Sequence, residues 1–250
     1  MSWTGQVKTL LDVKSFAKVL LDETGDLFWT QTEQNALANE ANRTVFRELV
    51  ATNPEYFIST ATGPFTWSDG TEFVSLNSTS FLGANTLPYK IIGVEDTPNS
   101  SAVAKDNIPT KWKPMRFADR YIIERTAGAT HGNLSKYYAV VGNRMYTSPI
   151  PDGDLNVHIY WIPHIPNVTN DTHIMLSTEA GGVNPTNGAA EEFGDLVGVY
   201  LAKLMNSKQQ GQNPTIEQLW AEGLVRMQTN AHLRNVDEPM SVRVTRGPWE

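Results

Sequence analysis

Apolar residues recur with a 3.6-residue period in four stretches of this chain, two near each end, and alternate with a shorter period between them. Residues 7–21 place Leu10, Val13, Ala17, Leu20 and Leu21 on one side of a helical wheel, with Lys14 and Lys18 beside them. The acidic turn at residues 22–26 ends that pattern. Thr30 and Glu33 then form a capping box, each side chain bonding an amide that the first helical turn leaves without a partner. They open a second helix predicted over residues 32–52. Leu37, Ala38, Ala41, Val45 and Leu49 line its buried side, and Glu40, Arg43 and Arg47 the opposite side. Asn53-Pro54 stops it, because the residue before proline is pushed out of the helical region. The short link between these two helices favours an antiparallel pair.

Near the other end, residues 190–206 predict a third helix with Phe193, Leu196, Val197, Tyr200, Leu201 and Leu204 inward. Asn213-Pro214 is a favoured cap and first-turn pair, opening a fourth helix over residues 214–235. It turns Ile216, Leu219, Trp220, Gly223 and Met227 inward, with Glu222 and Arg226 paired outside. Two strips on these helices are unusual. Asn35, Asn39 and Asn42 run beside the apolar stripe of the second helix, although asparagine gains nothing in a helix interior. They read either as a solvated flank or as a polar contact with a neighbouring segment. On the third helix Gly194, Gly198 and Ala202 follow at four-residue spacing. Each internal glycine costs around 1 kcal/mol against alanine, so this strip predicts a close neighbour, within the subunit or across a subunit contact.

Between the helical pairs lie short runs rich in aromatic and β-branched residues, at 56–58, 72–76 and 89–94. Ser68-Asp69-Gly70 is a turn signal, residues 95–114 read as a long loop, and 115–125 as a short helix. Residues 137–141 and 144–147 flank Gly142-Asn143, which predicts a hairpin. Residues 155–162 carry large side chains on both faces and predict a central strand. Residues 163–189 read as a long loop rich in Asn, Thr, Gly and Pro, of the kind that has an external job or moves.

Composition narrows the function classes. Hydrophobic residues make up 40% of the 250, enough for one large core or two modest ones. The 27 acidic residues outnumber the 20 Lys and Arg, which weighs against gripping nucleic acid by its phosphates. The absence of cysteine removes disulfides, thiolate metal sites and thiol nucleophiles, and fits a reducing compartment. The start lacks a secretory pattern, and no apolar run approaches the roughly eighteen residues needed to cross a bilayer. His131, His158, His164, His173 and His232 show no metal-site spacing, and no serine elbow or phosphate-cradling loop occurs. Asp152-Gly153-Asp154 reads as a turn, with a cation site or catalytic pair as the alternative. Residues 111–117 interleave bases with aromatics as single-strand binders do, against a loop with a packed tryptophan. No catalytic residue, metal or cofactor is expected.

The order of helical pair, β-rich middle, helical pair and extended tail resembles the head–tail adaptor (connector) proteins of tailed bacteriophages. The likeness is carried by Trp29-Thr30, by Asn39-Glu40-Ala41-Asn42-Arg43, by Tyr146-Thr147-Ser148-Pro149 and by Ile159-Tyr160-Trp161-Ile162-Pro163. It implies a ring of about twelve copies under the portal protein, in the virion neck, assembled in the host bacterial cytoplasm. Its implied partners are other copies of itself, the portal, a downstream tail or nozzle protein, and double-stranded DNA passing non-specifically, with no membrane. An acidic ring would repel DNA phosphates and let the genome slide. The β-rich insert is large beside the mainly helical members of that family. Two other classes stay open: a monomeric ligand- or carbohydrate-binding β-module, from the Trp, Tyr, Asn and Thr content of residues 56–165, and a hydrolase using Asp152, Asp154 or Glu191.

The fold class expected is α+β, with three parts. A four-helix bundle is formed by the N- and C-terminal helix pairs (1–54 and 190–235). A β-rich insert with long loops covers 55–189, and an extended C-terminal arm covers 236–250. In the arm Val242 and Val244 alternate with Arg243 and Thr245, a pattern that cannot hold as an isolated strand. Either it folds back on its own subunit or it adds to a neighbour's sheet. The resemblance implies the latter, a portal-docking arm of Val242, Arg243, Val244, Arg246, Pro248 and Trp249.

Overall fold

The computed structural model describes residues 9–23, 29–60, 65–76, 88–97, 110–119, 136–151, 153–177, 192–208 and 213–233. The chain divides into two compact units. One takes residues 1–56 and 166–250 and holds the helices; the other takes 57–165 and holds the sheets.

The helical unit contains α1 (Leu10–Leu20), α2 (Gln31–Thr52), α3 (Gly194–Lys208) and α4 (Pro214–Leu233). Local chemistry sets most of the ends. A capping box of Thr9 and Asp12 starts α1 later than the apolar pattern suggests, with the Thr9 amide 2.9 Å from the Asp12 carboxylate. Its far end closes with a Schellman motif. Asp22 takes a φ of 57°, the Asp22 amide bonds the Val19 carbonyl at 3.2 Å, and the Glu23 amide bonds that of Lys18 at 3.0 Å. The Thr30–Glu33 box opens α2 as expected, and the Asn213 side chain caps α4 through the Thr215 amide at 3.1 Å. Outside α4, Arg226 bonds Asp195 at 2.6 Å rather than Glu222, which accepts from Gln218 at 2.7 Å.

The expected four-helix bundle of matched N- and C-terminal pairs is not what these helices form. In such a bundle every helix buries one stripe and shows water the other. Helix α3 instead buries Gly194, Leu196, Val197, Gly198, Val199, Leu201, Ala202 and Met205, residues on all sides of its wheel. It is a central helix, and α1, α2 and α4 all pack on it. The strip of Gly194, Gly198 and Ala202 is buried, and of the apolar stripe Tyr200 and Leu204 are half-buried. A methyl group at Gly198 would sit 2.6 Å from Cδ1 of Phe16 in α1, so the missing side chain is the space that Phe16 occupies. Gly223 of α4 does the same for Leu196, at 2.4 Å. The outer helix α4 is thinly buried, with only Ile216 and Met227 among its described side chains in the core.

In the β unit, five strands form one sheet and four another. The first is built on β9 (Leu155–Pro163), the central strand that the sequence predicts. It pairs with β1 (Ser59–Thr60) and β2 (Phe65–Trp67) along one edge and with β4 (Pro88–Thr97) along the other. The second sheet runs β3 (Phe73–Ser75), β8 (Arg144–Ser148), β7 (Tyr137–Val141), β6 (Lys113–Pro114). The hairpin of β7 and β8 turns on Gly142 at φ 59°, so a single positive-φ residue serves where two were available. Residues 54–57 form a 3-10 turn, not the strand expected at 56–58. Of the helix expected at 115–125, the described part is a 3-10 turn at Phe117–Asp119.

The segment read as a loop at 110–114 joins the two sheets. Its first half, β5 (Thr110–Lys111), pairs with β4, and its second half is β6, parallel to β7. Trp112 lies between them, buried, its ring 5.5 Å from that of Trp67. Around this pair Leu76, Val94, Tyr138, Met145, Val157, Ile159 and Trp161 complete one core shared by both sheets. The Trp67 indole N–H donates to the Thr71 carbonyl at 2.7 Å, across the Ser68–Gly70 turn.

Two expectations follow. Gly198→Leu should destabilise the helical unit through overpacking by about 1–3 kcal/mol, read as a lower urea midpoint. Phe16→Ala in the same chain should recover part of that loss, and a Gly198→Leu midpoint equal to the parent's would show that the space is not needed. The second concerns alkaline pH. Burial raises the Tyr138 phenol above its usual range; at Tyr160 the hydrogen bond to Glu95 does so, with burial second. Raised folded values mean that this stability is complete below the unfolded value of about 10 and lost as pH rises through the folded ones. The midpoint of the β unit should therefore fall on going from about pH 9 to 11. Tyr160→Phe should flatten the fall, and an unchanged slope would count against the Glu95 bond.

Candidate interaction surfaces

The asparagine strip of α2 is a polar contact within the chain. Asn35, Asn39 and Asn42 sit at i, i+4 and i+7, so their side chains project along one flank of the helix. Residues 166–177 run past them as a strap without regular secondary structure, closed by a single bridge between Ile174 and Thr9. Buried backbone of that kind must find hydrogen bonds outside a ladder. The Asn39 side chain supplies a matched pair, its Oδ1 accepting from the Val168 amide at 2.6 Å and its Nδ2 donating to the Val168 carbonyl at 2.8 Å. A primary amide offers one donor edge and one acceptor edge, as a peptide group does. Asn39 therefore acts as a one-residue strand partner.

The other two asparagines extend this grip. Asn42, 1% exposed, accepts from the Leu176 amide at 2.8 Å, where Leu176 has a φ of 56°. Asn35 accepts from Lys14 at 3.1 Å, and Lys14 also pairs with Asp171 of the strap. Sequence alone places Lys14 at the side of α1; it is 5% exposed. Arg43, braced by Glu40 at 3.1 Å, reaches Asn167 at 2.6 Å. Val168, Met175 and Leu176 supply the strap's buried apolar anchors. Sequence reasoning missed the strap, and its one signal was Val168 and the run Ile174–Leu176 in otherwise polar text.

Gly194, Gly198 and Ala202 likewise contact other parts of this chain and are buried in the helical unit. Asn42 is buried as well, while Asn35 and Asn39 are half-buried. Tyr56 is held at the edge of the same unit, its hydroxyl 3.1 Å from Glu192 and its ring edge-on to Phe193 at 5.9 Å.

The β unit carries a cleft of about 670 Å³ lined by Tyr89, Ile91, Met115, Tyr138, Val140 and His164, among others. Tyr89 is 40% and Val140 45% exposed, and the Tyr89 ring stands edge-on to His164 at 5.4 Å. Among the described residues, β5 covers only Glu95 and Asp96 of β4, and β6 covers only Tyr137 and Tyr138 of β7. This mostly apolar lining, with a phenol, an imidazole and Lys90 at hand, is chemically fitted to an apolar or aromatic group.

Compared with protein-family models and with curated proteins, the chain matches none.

The remaining sequence candidates divide between structural roles and positions outside the described residues. Asp154 accepts from the Asp69 amide at 2.8 Å and so fastens the Ser68–Gly70 turn, while Asp152 and Glu191 lie outside the described residues. Within 111–117, Trp112 is a core residue, and Lys111 and Lys113 are exposed on either side of it. Of the histidines, His173 lies 3.2 Å from the Asn170 amide nitrogen and His131 is outside the described residues. Among the described residues no three His, Asp or Glu side chains gather as metal ligands, and no helix is long and apolar enough to cross a membrane. The arm residues Val242, Arg243, Val244, Arg246, Pro248 and Trp249 lie outside the described residues.

Replacing Asn39 by Ala removes both of its bonds to Val168 and leaves a buried backbone amide and carbonyl without partners. Each orphaned group costs about 1–3 kcal/mol. The urea midpoint of the helical unit should fall accordingly, and faster hydrogen exchange at the Val168 amide should accompany it. An unchanged midpoint would mean that water replaces the asparagine without loss.

Proposed function

We propose that this chain is a structural protein of a tailed-bacteriophage neck, a head–tail adaptor whose copies form a ring that joins the portal to the tail and continues the DNA channel. The observation that carries this reading is residues 39–43, the centre of the resemblance to that family. There Asn39, Asn42 and Arg43 each hold the strap and Glu40 braces Arg43. The signature residues are thus committed to scaffold rather than to chemistry, which suits a subunit that must be rigid and does no catalysis. The acidic balance of 27 against 20 charges adds to it, since a ring of such subunits repels DNA that slides through. In this reading residues 242–249 are the arm that docks on the portal, and the β unit faces the downstream tail or nozzle protein.

A monomeric ligand-binding β-module is the second reading, favoured by the cleft beside Tyr89 and His164. Native mass spectrometry with negative-stain imaging separates the two. Rings of about twelve copies, alone or on adding portal, are expected; a monomer in both conditions would overturn the adaptor reading. Deleting the residues after Pro239 should leave the melting temperature nearly unchanged and abolish attachment to portal rings. Unfolding of the truncated chain, or normal attachment, would remove the arm from the proposal.

A further inference from the structure

We propose that α1 and the strap at 166–177 form one cooperative opening unit, a latch that leaves the α2–α3–α4 core together and never one without the other. The two segments complete each other's hydrogen bonds. The first helical amides of α1 have no partner within the helix. The Leu10 amide bonds the His173 carbonyl at 2.9 Å and the Leu11 amide bonds that of Asp171 at 3.1 Å. Thr9 and Ile174 form a bridge beside them. Lys14 strengthens the coupling, because its ammonium is buried and, among the described residues, its anionic partner is Asp171. If the strap left while α1 stayed docked, a charge would remain buried with, among the described residues, the Asn35 oxygen alone against it. If α1 left first, Asp171 and the two carbonyls would lose the partners that fix the strap's path.

The latch also sits at a mechanical junction. The chain crosses between the two units at 56–57 and 165–166, and the strap begins at the second crossing. Any pull on Ile165 reaches the strap before it reaches a helix, and through Asp171 and Lys14 it reaches α1. The far side of the latch is held by α2, through Asn39, Asn42 and Arg43. That makes the asparagine strip the catch. When the latch opens, α3 loses the packing of α1, including Phe16 beside Gly198, while α2, α3 and α4 keep their contacts with one another.

Residue-resolved hydrogen exchange on the full chain tests this. The amides of Leu10, Leu11 and Leu176 should share one protection factor, lower than those of Val45 and Leu201. Asn39→Ala, whose side chain touches Val168 and none of those three, should speed all three alike by at least about tenfold, equivalent to about 1.4 kcal/mol. Val45 and Leu201 should not respond. A response at Val168 alone, or at the strap without Leu10 and Leu11, would show that the strap opens by itself. An equal rise at Val45 and Leu201 would show that the helical unit opens only as a whole. Either result overturns the latch. Should Asn39→Ala fail to fold, Arg43→Gln removes a contact at the start of the strap and should give the same pattern at smaller amplitude, with the same overturning outcomes.

Discussion

The helical unit depends on one exchange of hydrogen bonds, the pairing of α2 side-chain amides with the backbone of the strap. An irregular segment that runs against a core has no ladder to complete its peptide groups, and unpaired groups there cost as much as a core contact gains. A helix cannot help with its own backbone, whose interior groups are already used. It can help only with side chains that carry both a donor and an acceptor on a short stem. Asn39 does this for Val168, and Asn42 completes Leu176 at a positive φ. The strap in turn caps α1 and neutralises Lys14. Two neighbouring helices and a strap far along the chain are joined by these bonds.

A second constraint is the crowding around α3. A helix packed by three neighbours must be approached from several directions, and side-chain volume limits how many fit at interior packing density. Glycine relieves the limit at two points. Gly198 leaves room for Phe16, and Gly223 leaves room for Leu196 of α3 itself. The helix-propensity cost of each glycine, about 1 kcal/mol, is offset by the contacts that the space permits. The geometry that results is a core helix with three neighbours, which differs from a symmetric bundle because most of one member is buried.

In the β unit the comparable device is a short strand pair used twice. Residues 110–114 cannot form a sheet alone, yet each half adds to a different sheet and Trp112 fills the core between. Both sheets are left with longer strands than their edge partners, and the cleft opens beside β4 and β7. The polar residues that looked most like chemistry, such as Asp154, serve turns instead.

Sequence by itself determined what depends on a few adjacent residues. The Thr30–Glu33 box, the proline stop after α2, the Asn213 cap, the Gly142-Asn143 hairpin and the central strand at 155–162 are all legible, because their hydrogen bonds and periodicities close within one element. The burial of Gly198 was half legible: a costly glycine announced a close neighbour without naming Phe16. The role of the asparagines, the burial of Lys14, the double use of residues 110–114 and the central place of α3 were decided only by tertiary structure. The physical reason is common to all four. A side-chain amide, an ammonium or a strand edge is satisfied equally well by water, so nothing local selects its partner. For Asn39 that partner is Val168, 129 residues away. Only the packing that expels water from between them makes the bond obligatory.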